Sequence, residues 1–341
     1  MTKVSVLMIK SVYTGTSGHD KVIANISIEL QKLGYDISIG SFSFQNDPPN
    51  GIGKIKLKKI NMFFNKSIKK FDIIHTHESL VNYYFLFSRK PIIYHYHGVN
   101  GFLQEINLKF CLFLLAKKIF KIISVSKTGF DYLHNISKNI PIEVIPNGVN
   151  TQLFKSNLSK KYDAGSPQLL FVGNMYPSKN IITLINAMPS ILKIYPNAHL
   201  QIIGYGDSMD ELKLAIHQLK LEKNIELVGE LSHDDLKYYY SSCDVYVSAS
   251  IAEAHPLPTL EALSSGKPLL LSNISAHEEI IKDSQAGLTF INFNIDDLCK
   301  KLVTIVEKNQ LYSFNATKFS KNYDWSITTK KIHQIYEQLI D

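Results

Sequence analysis

Cysteine is scarce in this chain, long apolar runs are missing, and arginine almost disappears from its basic half; each scarcity excludes a class of protein. The three cysteines, Cys111, Cys243 and Cys299, are far apart and odd in number, which argues against a disulfide framework or a clustered thiolate metal site and for a reducing, cytoplasmic setting. No stretch approaches the roughly 20 apolar residues needed to span a bilayer. The opening MTKVSVLMIK has too few apolar residues and no small-residue cleavage pattern, so it reads as a first buried strand and not as a signal peptide. In a cytoplasmic setting, Asn-X-Ser/Thr triplets such as the one starting at Asn25 carry no meaning for glycosylation. Neither a short-period repeat nor a low-complexity tract is visible.

What is present fits two domains. A length of 341 residues exceeds the usual single core, and a hydrophobic content of 45% is ample for two. Residues 1–150 hold 19 Lys+Arg against 9 Asp+Glu, a balance of +10, whereas the remainder holds 18 against 21, a balance of −3. Within the basic half, residues 54–71 interleave seven lysines with Ile, Leu, Met and Phe, a pattern suited to an anionic membrane surface and also to a solvated strand and loop. A second segment, 110–123, predicts a helix leading into a buried strand, packed in the core with Lys117 and Lys118 on its exposed side. With so little arginine and no recognised binding module, nucleic acid is not an expected partner.

Short β-rich runs alternate with amphipathic helical ones from end to end, the pattern of parallel sheets covered by helices. Strands are predicted at 4–9, 36–41, 73–77, 92–97, 122–126 and 142–145 in the first half. The polar stretch 157–168, with Gly165 and Pro167, reads as an interdomain linker. Strands then follow at 169–173, 199–203, 225–227, 245–247, 269–271 and 288–291. The expected organisation is a first domain over 1–156, a second over 168–322, and a terminal segment over 323–341 whose helix carries Ile332, Ile335, Tyr336 and Leu339 on one face.

The segment SASIAEAHPLPTLEALSSGKPLLLSN places two glutamates, Glu253 and Glu261, eight positions apart around a proline-punctuated loop that runs into a helix. Glu253 is expected just past the carboxyl end of a buried strand, where open α/β sheets bind ligands. Pro256 and Pro258 force extended backbone, so the helix is predicted over 259–265, ended by Gly266, with Glu261 in its first turn. Two carboxylates there suit sugar and ribose hydroxyls, while nearby amides face phosphate. Taken singly, Glu261 also reads as a complement to the helix dipole and Glu253 as a solvated loop residue.

This stretch resembles the Glu, seven residues, Glu signature of the retaining glycosyltransferases of family 4, which have the GT-B fold: α/β, with two Rossmann-like parallel-sheet domains facing across a cleft. The resemblance covers nearly the whole chain, because other segments match in order. It implies that Glu261 binds ribose hydroxyls, that Glu253 binds the donor sugar, and that Ala254, His255, Pro256 and Leu257 line the phosphate or sugar edge. Gly15 and Gly18 follow the first strand and precede a helix, a phosphate-cradle shape without the dinucleotide spacing. It resembles the family's first glycine-rich loop, which implies contacts from Gly15, Thr16 and Gly18. In FVGNMYPSKN the family usually has an arginine directly after Gly173 and a lysine five residues on. This chain has Asn174 and keeps Lys179, so Lys179 is expected to stabilise the diphosphate with one of two charges missing; a plain surface lysine is its other reading. Gly204 and Gly206 resemble the loop under the nucleotide base.

His75, His77, His95 and His97 close two strands as pairs two residues apart, so each pair shares a sheet face. Buried, hydrogen-bonded histidines are the expectation in preference to a metal site. His97, before Gly98, resembles the family position that contacts the donor sugar near the reacting carbon. Pro146, Asn147 and Gly148 match the hinge-proximal turn, and the last helix resembles the GT-B tail that crosses back onto the first domain. The implied activity is transfer of a hexose from a UDP- or GDP-linked sugar, with retention, by front-face departure without a covalent nucleophile. No metal or other cofactor is expected, since the sequence has no Asp-X-Asp triplet. The implied acceptor is a lipid-linked or oligosaccharide glycan, met by a basic first domain peripheral to the inner face of the membrane. A non-catalytic nucleotide-sugar-binding protein is the alternative that Asn174 suggests. A nicotinamide oxidoreductase is the poorest fit, because neither glycine loop has the required spacing.

Overall fold

The computed structural model describes residues 3–58, 68–99 and 101–340. The chain divides into two compact units, Met1–Gly148 with Trp325–Asp341, and Val149–Asp324. The first contains β1 (Ser5–Ile9), β2 (Val12–Tyr13), α1 (Gly18–Lys32), β3 (Asp36–Ser41), β4 (Ser43–Phe44), β5 (Gly53–Lys56), β6 (Ile73–Thr76), α2 (Ser79–Asn82), β7 (Ile92–Tyr96), α3 (Phe102–Leu115), β8 (Ile119–Ser124), α4 (Lys127–Ile136) and β9 (Ile142–Val144). The second contains β10 (Gln168–Val172), α5 (Ile181–Ile194), β11 (His199–Ile203), α6 (Met209–Gln218), β12 (Ile225–Gly229), α7 (His233–Ser242), β13 (Val245–Ser248), α8 (Leu257–Ser264), β14 (Leu269–Ser272), α9 (Ser275–Ser284), β15 (Gly287–Phe290), α10 (Ile295–Glu307) and α11 (Asn309–Ser320). The last helix, α12 (Trp325–Ile340), groups with the first unit.

Both main sheets are parallel, in the orders β5-β3-β1-β6-β7-β8-β9 and β12-β11-β10-β13-β14-β15. Their central strands are runs such as VLMI and LLLS, buried on both faces because helices cover both sides of a parallel sheet. In each sheet the chain first winds one way from a central strand and then the other. This leaves a crevice at the carboxyl ends of β1 and β6 in one unit and of β10 and β13 in the other. The loop that carries Lys179 follows β10 and the loop that carries Glu253 follows β13, so two segments 74 residues apart flank one switch point.

Three expectations change in the structure. The chain passes between units at Gly148, and the polar stretch 157–168 lies inside the second unit. Val149 and Phe154 are buried in that unit's core, and the amides of Lys161 and Tyr162 donate to Ser242 Oγ at 3.0 Å, so composition suggested a linker where backbone is tied down. The basic segment begins as β5, an edge strand with Lys54 and Lys56 turned outward and Lys54 paired to Asp47 at 2.6 Å, as edge strands often are; residues 59–67 of that segment lie outside the described residues. Finally, core packing accounts for one side of α3 alone. Leu108, Cys111, Leu112 and Leu115 are buried, but Phe102, Leu103, Ile106, Phe110 and Phe113 are exposed.

α12 joins the first unit through Ile332, Ile335 and Tyr336, all fully buried. Tyr336 Oη shares a hydrogen bond with His75 Nδ1 at 2.6 Å, and Thr328 Oγ1 donates to the Pro146 carbonyl at 3.1 Å. A Cβ on Gly148 would stand 2.7 Å from Trp325 Cα, so glycine is required where the two crossing strands of chain touch.

Candidate functional site

In the second unit the sheet's switch point holds a connected polar group. Lys179 ends a short 3₁₀ turn after β10, and its ammonium pairs with the Glu253 carboxylate in the loop after β13. The two loops are stitched by backbone, Ile251 N–H donating to the Ser178 carbonyl at 2.9 Å, which sets the pair in register. Ser250 Oγ donates to Glu253 Oε1 at 2.9 Å, and Ser272 Oγ donates to the Ser250 carbonyl at 2.5 Å. Ser272 in turn shares a hydrogen bond with His277 Nδ1 at 3.0 Å. Burial, together with the Lys179 ammonium and against the pull of Glu253, pushes His277 down to about 4. A strand-end serine, a carboxylate and a lysine thus hold one another, and the pair presents both charges to any ligand that enters.

Glu261 sits deeper. The helix begins at Leu257, with Pro256 as its cap and Pro258 inside the first turn, where a proline lacks no needed donor. Glu261 therefore falls in the second turn, not the first as the sequence suggested, and the dipole reading loses its basis. Its Oε2 accepts from the buried Tyr240 hydroxyl at 2.8 Å, and the same hydroxyl oxygen lies 3.1 Å from the Pro258 carbonyl. Burial and the neighbouring Glu261 carboxylate drive the Tyr240 phenol well above its usual range. His255 is buried against Tyr323, rings 6.0 Å apart and nearly parallel, and burial lowers it to about 4. Ala254 and Leu257 are half-buried beside it and Pro256 is buried.

Asn174 is exposed, Gly173 is half-buried, and Gly204 and Gly206 lie close against neighbouring backbone. A Cβ on Gly204, which has φ +134, would lie 2.0 Å from the Gly173 carbonyl oxygen, and one on Gly206 would lie 2.7 Å from that of Met175. Met175 N–H donates to the Tyr205 carbonyl at 3.0 Å, so the loops after β10 and β11 run backbone against backbone.

In the first unit the loop after β1 differs from the expected open cradle. The amides of Thr14 and Gly15 both donate to Asp20 Oδ2, at 3.0 and 3.2 Å, and those of Thr16 and Ser17 donate to Thr14 Oγ1. Asp20 is fully buried and its other oxygen accepts from Lys10 Nζ at 2.9 Å. Burial alone would raise this carboxyl, but hydrogen bonds from Ser17, Thr14 and Lys10 hold it below the usual carboxylate range. The amides of Thr14, Gly15, Thr16 and Ser17 are thus bonded within the chain, with Gly15 at φ +78 shaping the turn and Gly18 starting α1. Asp20 was legible as the acidic residue three after Ser17, a helix-start pattern.

The histidines are brought together more closely than the sequence required. Pairing of β6 with β7 sets His75 against Ile93 and so brings His77 beside His95. Ring centroids lie 4.5–5.4 Å apart around the set, near the spacing of the strands themselves. His97 shares a hydrogen bond with His77 across 3.0 Å, and His19 of α1 lies 4.6 Å from His97 by ring centroids. The expectation that these rings are satisfied holds only in part. His75 Nε2, His77 Nε2 and both nitrogens of His95 are buried without a hydrogen-bond partner among the described residues. One nitrogen from each of His75, His77 and His95 falls within 4.8 Å of the others. The three rings are stacked at 11°, 17° and 26° to one another. Their in-plane lone pairs therefore run side by side and do not converge as metal ligands must. Burial lowers all four, His75 to about 3, and for His97 the neighbouring imidazoles and Lys10 lower it further.

Comparison with known proteins was made against this geometry. Residues 154–322 match the family model described as glycosyl transferases group 1, and residues 16–153 match that described as glycosyltransferase family 4. The UDP-Gal:alpha-D-GlcNAc-diphosphoundecaprenol alpha-1,3-galactosyltransferase of Escherichia coli is 27% identical over 298 residues, covering 80% of this chain and 76% of that one. The alpha-monoglucosyldiacylglycerol synthase of Acholeplasma laidlawii is 23% identical, covering 95% and 94%. Among solved structures, sucrose-phosphate synthase from Thermosynechococcus elongatus superposes with a TM-score of 0.83 at 19% identity, over 99% of each chain. Anabaena HepE in complex with UDP and glucose gives 0.81 at 16%, over 98% of this chain and 100% of that one. These structural likenesses establish the GT-B fold.

Proposed function

The chain belongs to the glycosyltransferases whose group 1 and family 4 models together match residues 16–322, and from that premise we propose that it moves a hexose, with retention, from a nucleoside diphosphate sugar to a lipid-linked glycan acceptor. The observation that carries this reading is the Lys179–Glu253 pair at the switch point of the second sheet, with Glu261 held behind it by Tyr240. Glu261 takes the ribose hydroxyls, Glu253 those of the donor sugar, and Lys179 the diphosphate. Entry of the donor exchanges the Lys179–Glu253 contact for contacts of each partner with the ligand, and the charge that develops on the leaving diphosphate meets a preset ammonium. Among the described residues neither unit offers an obvious covalent nucleophile, so front-face departure, with the leaving phosphate oxygen receiving the acceptor proton, is the step this arrangement serves best. Positioning and electrostatics supply the rate, without a metal.

The donor is proposed to be UDP- or GDP-linked; HepE binds UDP and glucose on the same fold. A lipid acceptor is favoured because the Escherichia coli relative acts on a diphosphoundecaprenol-linked sugar and the Acholeplasma relative makes a glucosyldiacylglycerol. The test is a thermal-shift screen of the purified protein against UDP, GDP, ADP and their hexose conjugates, with and without chelator. A selective rise in melting temperature, undiminished by chelator, is expected, since a ligand bound only by the native state stabilises it by mass action. No shift with any nucleotide would overturn the reading. A shift without donor hydrolysis or transfer would favour the non-catalytic alternative that Asn174 suggests.

A further inference from the structure

α3 is apolar on two sides, and only one of them is used by the core. At about 100° per residue, Phe102, Leu103, Ile106, Phe110, Phe113 and Leu114 fall within an arc of about 120° opposite the buried Leu108, Cys111, Leu112 and Leu115. Their exposures are 75%, 80%, 48%, 55%, 79% and 40%. Single exposed apolar residues are ordinary, but a contiguous patch of this kind marks a surface that meets something. Hydrogen bonds tie the helix to α2 and the turn after it. Ser79 Oγ donates to Asn107 Oδ1 at 2.8 Å, Tyr83 Oη donates to the Asn107 carbonyl at 3.2 Å, and Cys111 Sγ donates to the Ser79 carbonyl at 3.4 Å.

Charge identifies the partner. Lys117 is exposed in the turn that follows α3, and Lys109, paired to Glu105 at 2.6 Å, borders the arc. Residues 1–150 carry 19 Lys+Arg against 9 Asp+Glu. A second copy would bring two such basic halves together, whereas an anionic bilayer attracts them and accepts the aromatic side chains. We propose that this face of α3 docks the protein onto an anionic phospholipid bilayer, with Phe102, Leu103, Phe110 and Phe113 entering the acyl boundary and Lys109 and Lys117 meeting lipid phosphates. The docking stands on the exposed face; that the same surface delivers a lipid-linked acceptor rests on the transferase reading above.

The experiment is flotation of the full chain with vesicles of equal parts phosphatidylglycerol and phosphatidylcholine, and with phosphatidylcholine alone. The protein is expected to float with the anionic vesicles, and Phe102→Ser/Leu103→Ser/Phe113→Ser to weaken that association tenfold or more. Lys109→Gln/Lys117→Gln is expected to reduce the preference for the anionic vesicles. The triple variant should keep the parent's nucleotide-induced thermal shift, which checks that it folds. Flotation of the triple variant like the parent, or failure of the parent to float with either vesicle, would overturn the docking. So would a parent dimer in sedimentation velocity that the triple variant turns into monomer, which would assign the face to a second copy. Flotation as expected, with no nucleotide shifting the melting temperature, would leave the docking standing and remove the transferase reading.

Discussion

At the scale of single residues, the proposed diphosphate site has a lysine where a fork of donors would hold that group more firmly. Arg89 is the one arginine in the chain, and it lies in the first unit. Lys179 is a point charge on a flexible stem, so the Glu253 contact that positions it matters more than it would for a guanidinium. Lys179→Ala and Glu253→Ala are each expected to lower kcat/KM by about 10²-fold or more, the range seen when a preorganised charge is removed. The melting temperature should fall by only a few degrees, because the two side chains, 23% and 13% exposed, keep part of their contact with water and the charge left behind is partly solvated. Steady-state kinetics with thermal unfolding on the same samples would check both halves, and unchanged turnover in both variants would sink the assignment. Glu253 and Lys179 could be singled out from the sequence because loop position after a strand is legible there. Tyr240 and Ser250 could not, since their importance comes from partners 21 and 3 positions away that only a fold brings within reach.

At the scale of elements, most strands of the two main sheets were legible to within two residues because apolar β-branched runs can be buried on both faces only in a parallel sheet, whereas β8 starts at Ile119 and not at Ile122 and the short β2 and β4 carry no such run. The helix at Glu261 started two residues earlier than proline chemistry suggested, since proline is welcome in a first turn. Glycines were legible as loops but not as what the loops touch. Gly204→Ala would force a Cβ onto the Gly173 carbonyl at a φ that side chains rarely adopt, and is expected to cost about 2–4 kcal/mol. For a unit of this size that corresponds to a fall of about 5–15 °C in melting temperature, measurable by calorimetry. A variant as stable as the parent would mean that the two loops re-route easily and that their contact does not set the site. The glycine loop after β1 teaches the converse lesson: its amides can be taken up by the chain's own carboxylate, and only the hydrogen bonds tell.

At the scale of the whole molecule, each unit buries neutral histidines: His75, His77, His95 and His97 in the first, His255 and His277 in the second. Their folded-state values lie below the ordinary 6.5, so the unfolded chain binds protons that the native one refuses. The stability they confer is complete above about pH 6.5 and is lost as pH falls, down to about 4 for His255 and His277 and about 3 for His75. Each contributes a slope of up to about 1.4 kcal/mol per pH unit in that window. Between pH 6 and 5, before most carboxylates titrate, melting temperature should therefore fall steeply, and His77→Gln/His95→Gln should flatten the slope whatever it does to absolute stability. A parent with no slope there would mean that these rings are protonated in the native state. The sequence by itself determined the two main sheets, their parallel winding, the uneven charge and the loops that bear Lys179 and Glu253, because each follows from local pattern and the periodicity of strand and helix. Only the tertiary structure decided that the chain crosses at Gly148, that Asp20 accepts from amides of the first loop, that four histidines stack and that α3 keeps an unused apolar face. These depend on which distant surfaces meet, and burial and contact are properties of pairs that no single segment encodes.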